Sequence, residues 1–249
     1  VEGMQNLIEG WKTVGDKEVG MPRIFPSIRR LITGKSGLIP PEPLSEFLMG
    51  QFPPGVSTFG ELAQLNDIKA YNTAVCVETG ELRLFGDDPR DRIIDGAMSS
   101  SAVPPFYPPW KVEDYYYLDG GVAAKLPIMA AIERGATQIV ALDIHNAMGS
   151  LNGTGNMITT IGYSISLMTE DQTRREIEAS QTTGTPVRII TLTPPIDLDF
   201  WDYDRVEELI DLGRQQTEEA LNQEPIQISS KWQVQIRQAI AKTARKIIP

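Results

Sequence analysis

Cysteine and histidine are almost missing: Cys76 and His145 are the only examples in 249 residues. A lone thiol excludes an internal disulfide, and its apolar neighbours mark Cys76 as a buried structural residue rather than a nucleophile. A lone imidazole excludes a two-histidine metal centre, and no cluster has zinc-ligand spacing. No metal and no cofactor are therefore expected. No apolar run approaches the roughly 20 residues that cross a bilayer. Positive charge is also short, with 23 Lys and Arg against 33 Asp and Glu and a net charge of -10. Nucleic acid, which needs a basic face, is not expected as a partner. No secretory leader is visible, so a cytoplasmic setting is expected. The first residue is Val1 and the first methionine is Met4, which suggests a processed chain or a fragment.

What is present is enough for a sizeable core: 41% of residues are hydrophobic and only 22% are charged. Residues 2–12 and 23–32 read as helices, followed by a Pro/Gly-marked turn from Gly34 to Pro43. Leu44, Phe47 and Leu48 give a short apolar helical face. Ser57 or Thr58 is placed to cap a helical turn carrying Leu62 and Leu65. From Tyr71 to Val77 and from Leu82 to Phe85 the residues favour strands, separated by a turn signal around Gly80, which predicts a hairpin. Asp88-Pro89 has the form of an N-cap and first helical position, opening a helix with Ile93, Ile94, Ala97 and Met98.

Tyr115 to Leu118 is a short strand running into Asp119-Gly120-Gly121. A helix from Pro127 to Gly135 and a strand at Ile139–Leu142, apolar enough to be covered on both faces, then complete a βαβ unit. Met157–Ser180, Tyr203–Leu221 and Trp232–Ile247 read as further helices and Val187–Leu192 as a strand. The expected fold class is α/β, with a mostly parallel central sheet flanked by helices.

Asp119 is the leading candidate site residue. A carboxylate at the tip of a buried strand lies where open α/β sheets build sites, and partial burial would raise its pKa towards a value useful in a general base. Gly120 and Gly121 would allow positive φ and close approach of another group. The same three residues also make an ordinary turn, and their spacing alone does not decide between the two.

The longer pattern adds to this. Ser99-Ser100-Ser101-Ala102-Val103-Pro104-Pro105-Phe106 is followed by Tyr117-Leu118-Asp119-Gly120-Gly121-Val122, then Leu126-Pro127-Ile128, Ala131, Gly135-Ala136 and Ile139-Val140-Ala141-Leu142-Asp143. The order and separation resemble the second half of a patatin-like phospholipase domain, as do Gly34-Lys35-Ser36-Gly37-Leu38, Glu42-Pro43-Leu44 and the turn at Thr79-Gly80. The resemblance is closest over residues 1–192, with 202–249 as a C-terminal helical segment of a single truncated domain, 1–249. It implies a three-layer architecture, a serine–aspartate dyad with Asp119 as the base, and no need for histidine. It also implies a phospholipid or other acyl-ester lipid as substrate.

The serine of such a dyad sits in a Gly-x-Ser-x-Gly elbow between a strand and a helix. No serine here does. Ser57 has Gly55 before it but Phe59 after, Ser164 is followed by Ser166, and Ser36 by Leu38. Ser99, Ser100 and Ser101 fall in the structural stretch of the resemblance. The expectation is a domain missing its N-terminal strands and its nucleophile, inactive by itself.

Other signals are weaker. Gly34-Lys35-Ser36 lacks the earlier glycine of a phosphate loop, that position being Arg29. Gly153 and Gly155 continue to Ile158 and mark a flexible helix entry. Asp197, Asp199, Asp202 and Asp204 miss calcium-loop spacing at Trp201 and Val206. Asn152-Gly153-Thr154 is a glycosylation sequon, meaningful only in a secreted chain. His145 reads as a polar loop residue. Phe106, Tyr107, Trp110, Phe200 and Trp201 could line an acyl site or belong to the core. The basic terminal helix, with Lys231, Arg237, Lys242, Arg245 and Lys246, could make peripheral membrane contact or dock on the core. The alternatives to a lipid hydrolase are a non-catalytic binding protein on the same scaffold and an esterase for a soluble ester.

Overall fold

The computed structural model describes residues 2–13, 15, 27, 29, 30, 32–66, 68–144, 157–195 and 203–223. Its helices are α1 (Glu2–Thr13), α2 (Glu42–Gln51), α3 (Phe59–Asn66), α4 (Ile93–Ser100), α5 (Ile128–Glu133), α6 (Met157–Gln181) and α7 (Val206–Gln223). Its strands are β1 (Asn72–Cys76), β2 (Leu82–Phe85), β3 (Trp110–Val112), β4 (Tyr115–Asp119), β5 (Ile139–Ile144) and β6 (Val187–Leu192). The expected helix at 23–32 lies largely outside the described residues, and the one at Trp232–Ile247 lies wholly outside them.

The chain is mixed α/β, but the mostly parallel central sheet is not what forms. The larger sheet is antiparallel, in the order β2-β1-β4-β3, and a separate parallel pair joins β5 to β6. Short links dictate this. The expected β1–β2 hairpin closes through Gly80 at φ +73°. Only Glu113 and Asp114 separate β3 from β4, with Glu113 at φ +53°, and two residues can join only antiparallel strands. β4 thus has β1 on one edge and β3 on the other, which leaves no edge for β5. The expected unit of β4, α5 and β5 is therefore split between two sheets, and the parallel crossover runs from β5 through α6 to β6.

Alternation sorts the faces of the antiparallel sheet. Ala74, Cys76, Phe85 and Tyr117 share one face by register and pack with Phe59 of α3 and Ile93 of α4. Phe85 and Tyr117 meet edge to face at 5.3 Å between centroids. A second cluster joins Ile39, Leu44, Ile94, Met98 and Tyr107, with Phe106 and Trp110 against it. Those three aromatics belong to the core. Cys76 is buried, as expected.

Two boundaries differ from the sequence reading. The helix expected from Asp88 begins at Ile93, because the carbonyls of Pro89 and Asp91 accept from Gly60 and Phe59 at 2.9 and 3.0 Å and so are used sideways. The Asp88 carboxylate instead closes a turn on the Arg90 amide at 2.9 Å. β5 was expected to be covered on both faces, yet Val140 and Leu142 are 46% and 54% exposed. Its partner β6 lies on one edge, and among the described residues nothing pairs with the other.

Candidate functional site

Asp119 is the last residue of β4, paired with Ala74 of β1, and its amide donates to the Ala102 carbonyl at 3.1 Å. That bond ties the strand tip to the stretch just after α4. Beyond it the backbone tightens into a single 3-10 turn, Gly120–Val122. The Asp119 side chain caps this turn: Oδ1 accepts from the Gly121 amide at 2.6 Å.

Both glycines are needed, though not for positive φ, which neither adopts. A Cβ on Gly120 would stand 2.3 Å from Thr73 Oγ1 and 2.6 Å from Thr73 Cβ, so the turn lies flat against β1. A Cβ on Gly121 would stand 2.8 Å from Asp119 Oδ1, closing the approach that the cap requires. Close approach is thus the part of the glycine expectation that holds.

The carboxylate is half-buried and, among the described residues, forms no ion pair. Burial pushes its pKa above the usual aspartate value, and the Gly121 hydrogen bond opposes this more weakly. A carboxylate in this condition is a better proton acceptor than a solvated one, and its second oxygen has no described partner. The arrangement suits a general base and gives no sign of a metal ligand. Among the described residues no group of three or more metal-binding side chains occurs.

Of the serines in the resemblance, Ser99 is closed to solvent, with its Oγ unpartnered, and Ser101 follows it at the end of α4. His145, the sequon at Asn152, the Gly153 and Gly155 pair, and Asp197, Asp199 and Asp202 lie outside the described residues, as do Phe200 and Trp201. Asp204 is exposed, beside the start of α7.

Two cavities flank the strands without including Asp119. A polar cleft of about 470 Å³ opens at the hairpin end of the antiparallel sheet, beside Arg83 and Arg134. Arg83 donates to Tyr117 Oη and Asp91, and Arg134 to Asp87, so both cations already have partners. An apolar pocket of about 200 Å³ sits at the carboxyl ends of β5 and β6 under Leu209 and Leu212, with no titratable group in its lining. No described helix is long and apolar enough to cross a membrane.

The sequence reading missed the residues that hold the turn from its far side. Lys125 Nζ lies 2.9 Å from Asp143 Oδ1 and 2.8 Å from the Ile144 carbonyl, joining the turn to β5. Gln172 Nε2 donates to the Val122 carbonyl at 2.8 Å, and Glu176 accepts from the Met129 amide at 2.8 Å, both from α6. Lys125 carried a signal, as a lone cation between buried Ala124 and Leu126. Gln172 and Glu176 carried none, being two of many polar residues on a long helix.

A family model described as patatin-like phospholipase matches residues 3–132, a little over half the chain. A search of curated proteins finds no match.

Proposed function

Because the chain belongs to the patatin-like phospholipase family, we propose that Asp119 is the general base of a serine–aspartate dyad that hydrolyses acyl esters of lipids. The family places the chain among lipid acyl hydrolases. The observation that carries the finer reading is the Asp119 carboxylate itself: held by one backbone hydrogen bond, without a described cation, with a raised pKa.

In this reading residues 1–249 form part of one such domain, and the serine comes from a segment outside them, since none of their serines sits in an elbow. Asp119 takes the serine proton as the serine oxygen bonds to the ester carbonyl carbon. The proton then passes to the departing alcohol, leaving an acyl-enzyme. Asp119 next takes a proton from water, whose oxygen displaces the serine and releases the fatty acid; the proton returns to the serine. Peripheral contact with a lipid surface and a cytoplasmic setting belong to the same proposal.

The test compares the 249-residue chain with a longer product of its reading frame that contains Gly-x-Ser-x-Gly. Both are assayed on p-nitrophenyl butyrate and on phosphatidylcholine vesicles. The short chain should be inert, and Asp119→Asn in the longer product should lower kcat by on the order of 10³- to 10⁴-fold. Turnover by the short chain, or an Asp119→Asn enzyme of normal rate, would overturn the reading. A folded longer product that binds lipid without cleaving it would point to the non-catalytic alternative.

A further inference from the structure

The family match ends at residue 132, yet side chains beyond it, Asp143, Gln172 and Glu176, bear on the segment that follows Asp119. Gly120 rests on Thr73 and cannot move towards β1. On the opposite side the segment 122–129 meets β5 and α6 at three polar points. The Gln172 amide reaches the Val122 carbonyl, the last carbonyl of the 3-10 turn. Lys125 pairs with Asp143, their side chains only 24% and 14% exposed, and also donates to the Ile144 carbonyl. Glu176, one helical turn beyond Gln172, receives the Met129 amide in the first turn of α5.

We propose that Gln172 and Lys125 are positioning residues for Asp119: together they fix the 3-10 turn so that the Gly121 amide stays under the Asp119 carboxylate. The proposal rests on the reading of Asp119 as the base for its catalytic meaning, but not for its geometry.

β1 and α4 pack on the near side of the turn, and these polar contacts act on its far side. Val122 is itself 46% exposed, so apolar packing does not anchor the turn at that point. Downstream, Ala124 is buried, but the apolar cluster of Leu126, Ile128 and Ala141 begins only after Lys125. Between Gly120 and that cluster, the polar contacts of Gln172 and Lys125 add to the burial of Ala124 and to the bonds that the Ala123 and Ala124 amides donate to the Gly120 carbonyl. A turn closed by a 2.6 Å hydrogen bond is sensitive to small rotations, because such bonds weaken steeply with angle.

The test reads the Gly121 amide directly by NMR hydrogen exchange in the 249-residue chain, relative to the amides of β1. Gln172→Met removes the donor at nearly constant volume and without changing charge. Lys125→Met removes the ion pair, and Lys125→Arg preserves it. Gly121 protection should fall about tenfold in Gln172→Met and Lys125→Met, the equivalent of one lost hydrogen bond, with β1 unchanged. Lys125→Arg should restore it. If Lys125→Met does not fold, Gln172→Met alone decides.

Equal loss at Gly121 and in β1, or no loss at Gly121, would make the contacts merely structural and overturn the proposal. The catalytic reading is tested separately by Asp119→Asn activity in the longer product. Normal activity there would leave the positional result standing, and unchanged Gly121 protection would leave the catalytic result standing.

Discussion

At the scale of single residues, Asp119 is held at a cost. Its folded pKa lies above the ordinary aspartate value because burial penalises the charge. The folded state therefore binds the proton more tightly than the unfolded chain. Stability contributed by this residue is present below the unfolded value of 3.8 and is lost as pH rises through the folded pKa. At neutral pH the whole penalty is in force. Asp119→Asn keeps an acceptor for the Gly121 amide and removes the charge, so its Tm should exceed that of the parent at pH 7, by about 2–4 °C for each kcal/mol recovered. The gain should shrink as pH falls towards 4. Differential scanning calorimetry across that range checks both sign and trend, and an equal Tm at pH 7 would show that burial does not penalise this carboxylate. A residue that destabilises the protein in which it sits is common at functional sites. At this scale the sequence placed an aspartate at a strand tip before two glycines, where β4 does run into the 3-10 turn, but left its role open between a site and an ordinary turn. It was silent about why the glycines are there, since the nearness of Thr73 depends on β1 lying alongside.

At the scale of elements, α3 shows a cap that the sequence did announce. Thr58 Oγ1 accepts from the Glu61 amide at 3.3 Å, and Glu61 accepts from the Thr58 amide at 2.9 Å. The two bonds are reciprocal, the pattern of a capping box. Glu61 also accepts from the Ser57 amide and hydroxyl, and these bonds hold its pKa at about 2. A lowered folded pKa gives stability that is present above the unfolded value of 4.5 and lost as pH falls towards 2. Glu61→Gln should therefore lower Tm at pH 6, and the difference from the parent should narrow steadily below pH 4.5. A gap that stayed constant with pH would assign the effect to side-chain shape rather than charge. The start of α4 shows the converse. Asp88-Pro89 has good helix-opening chemistry, but the Phe59 and Gly60 amides take up the Asp91 and Pro89 carbonyls and override that local preference. β3 was missed because its three residues, Trp110–Val112, are too few for alternation to register.

At the scale of the whole molecule, strand composition was readable while strand partners were not. β5 and β6 were recognised as strands from their apolar runs, and their parallel pairing has the long connection, with α6 in it, that strands of one direction need. β4 looked similar in sequence, yet its partners are set by a two-residue link to β3 that no hydrophobic pattern encodes. The consequence is two sheets, and in the smaller one the outer edge of β5 has no partner among the described residues. Val140, Leu142 and Ile144 project from one face of β5 and are 46%, 54% and 56% exposed. Opposite Leu142 across the ladder, Ile190 is buried, at 2%. α7 lies against β6, where Arg188 reaches the Ala220 carbonyl, while Leu142 stays more than half exposed. An apolar strand with one unpaired edge among the described residues is a template for further strands. The net charge of -10 opposes association at long range but is screened within about 10 Å at ordinary salt, so it does not protect a local edge. A charge placed on that strand should protect it. Leu142→Lys should slow the growth of light scattering at moderate salt severalfold. Because the Leu142 side chain is already more than half exposed, Tm should change little. Equal aggregation of parent and variant would show that β5 is not the adhesive edge, and a large fall in Tm would show that Leu142 packs against something its exposure does not reveal.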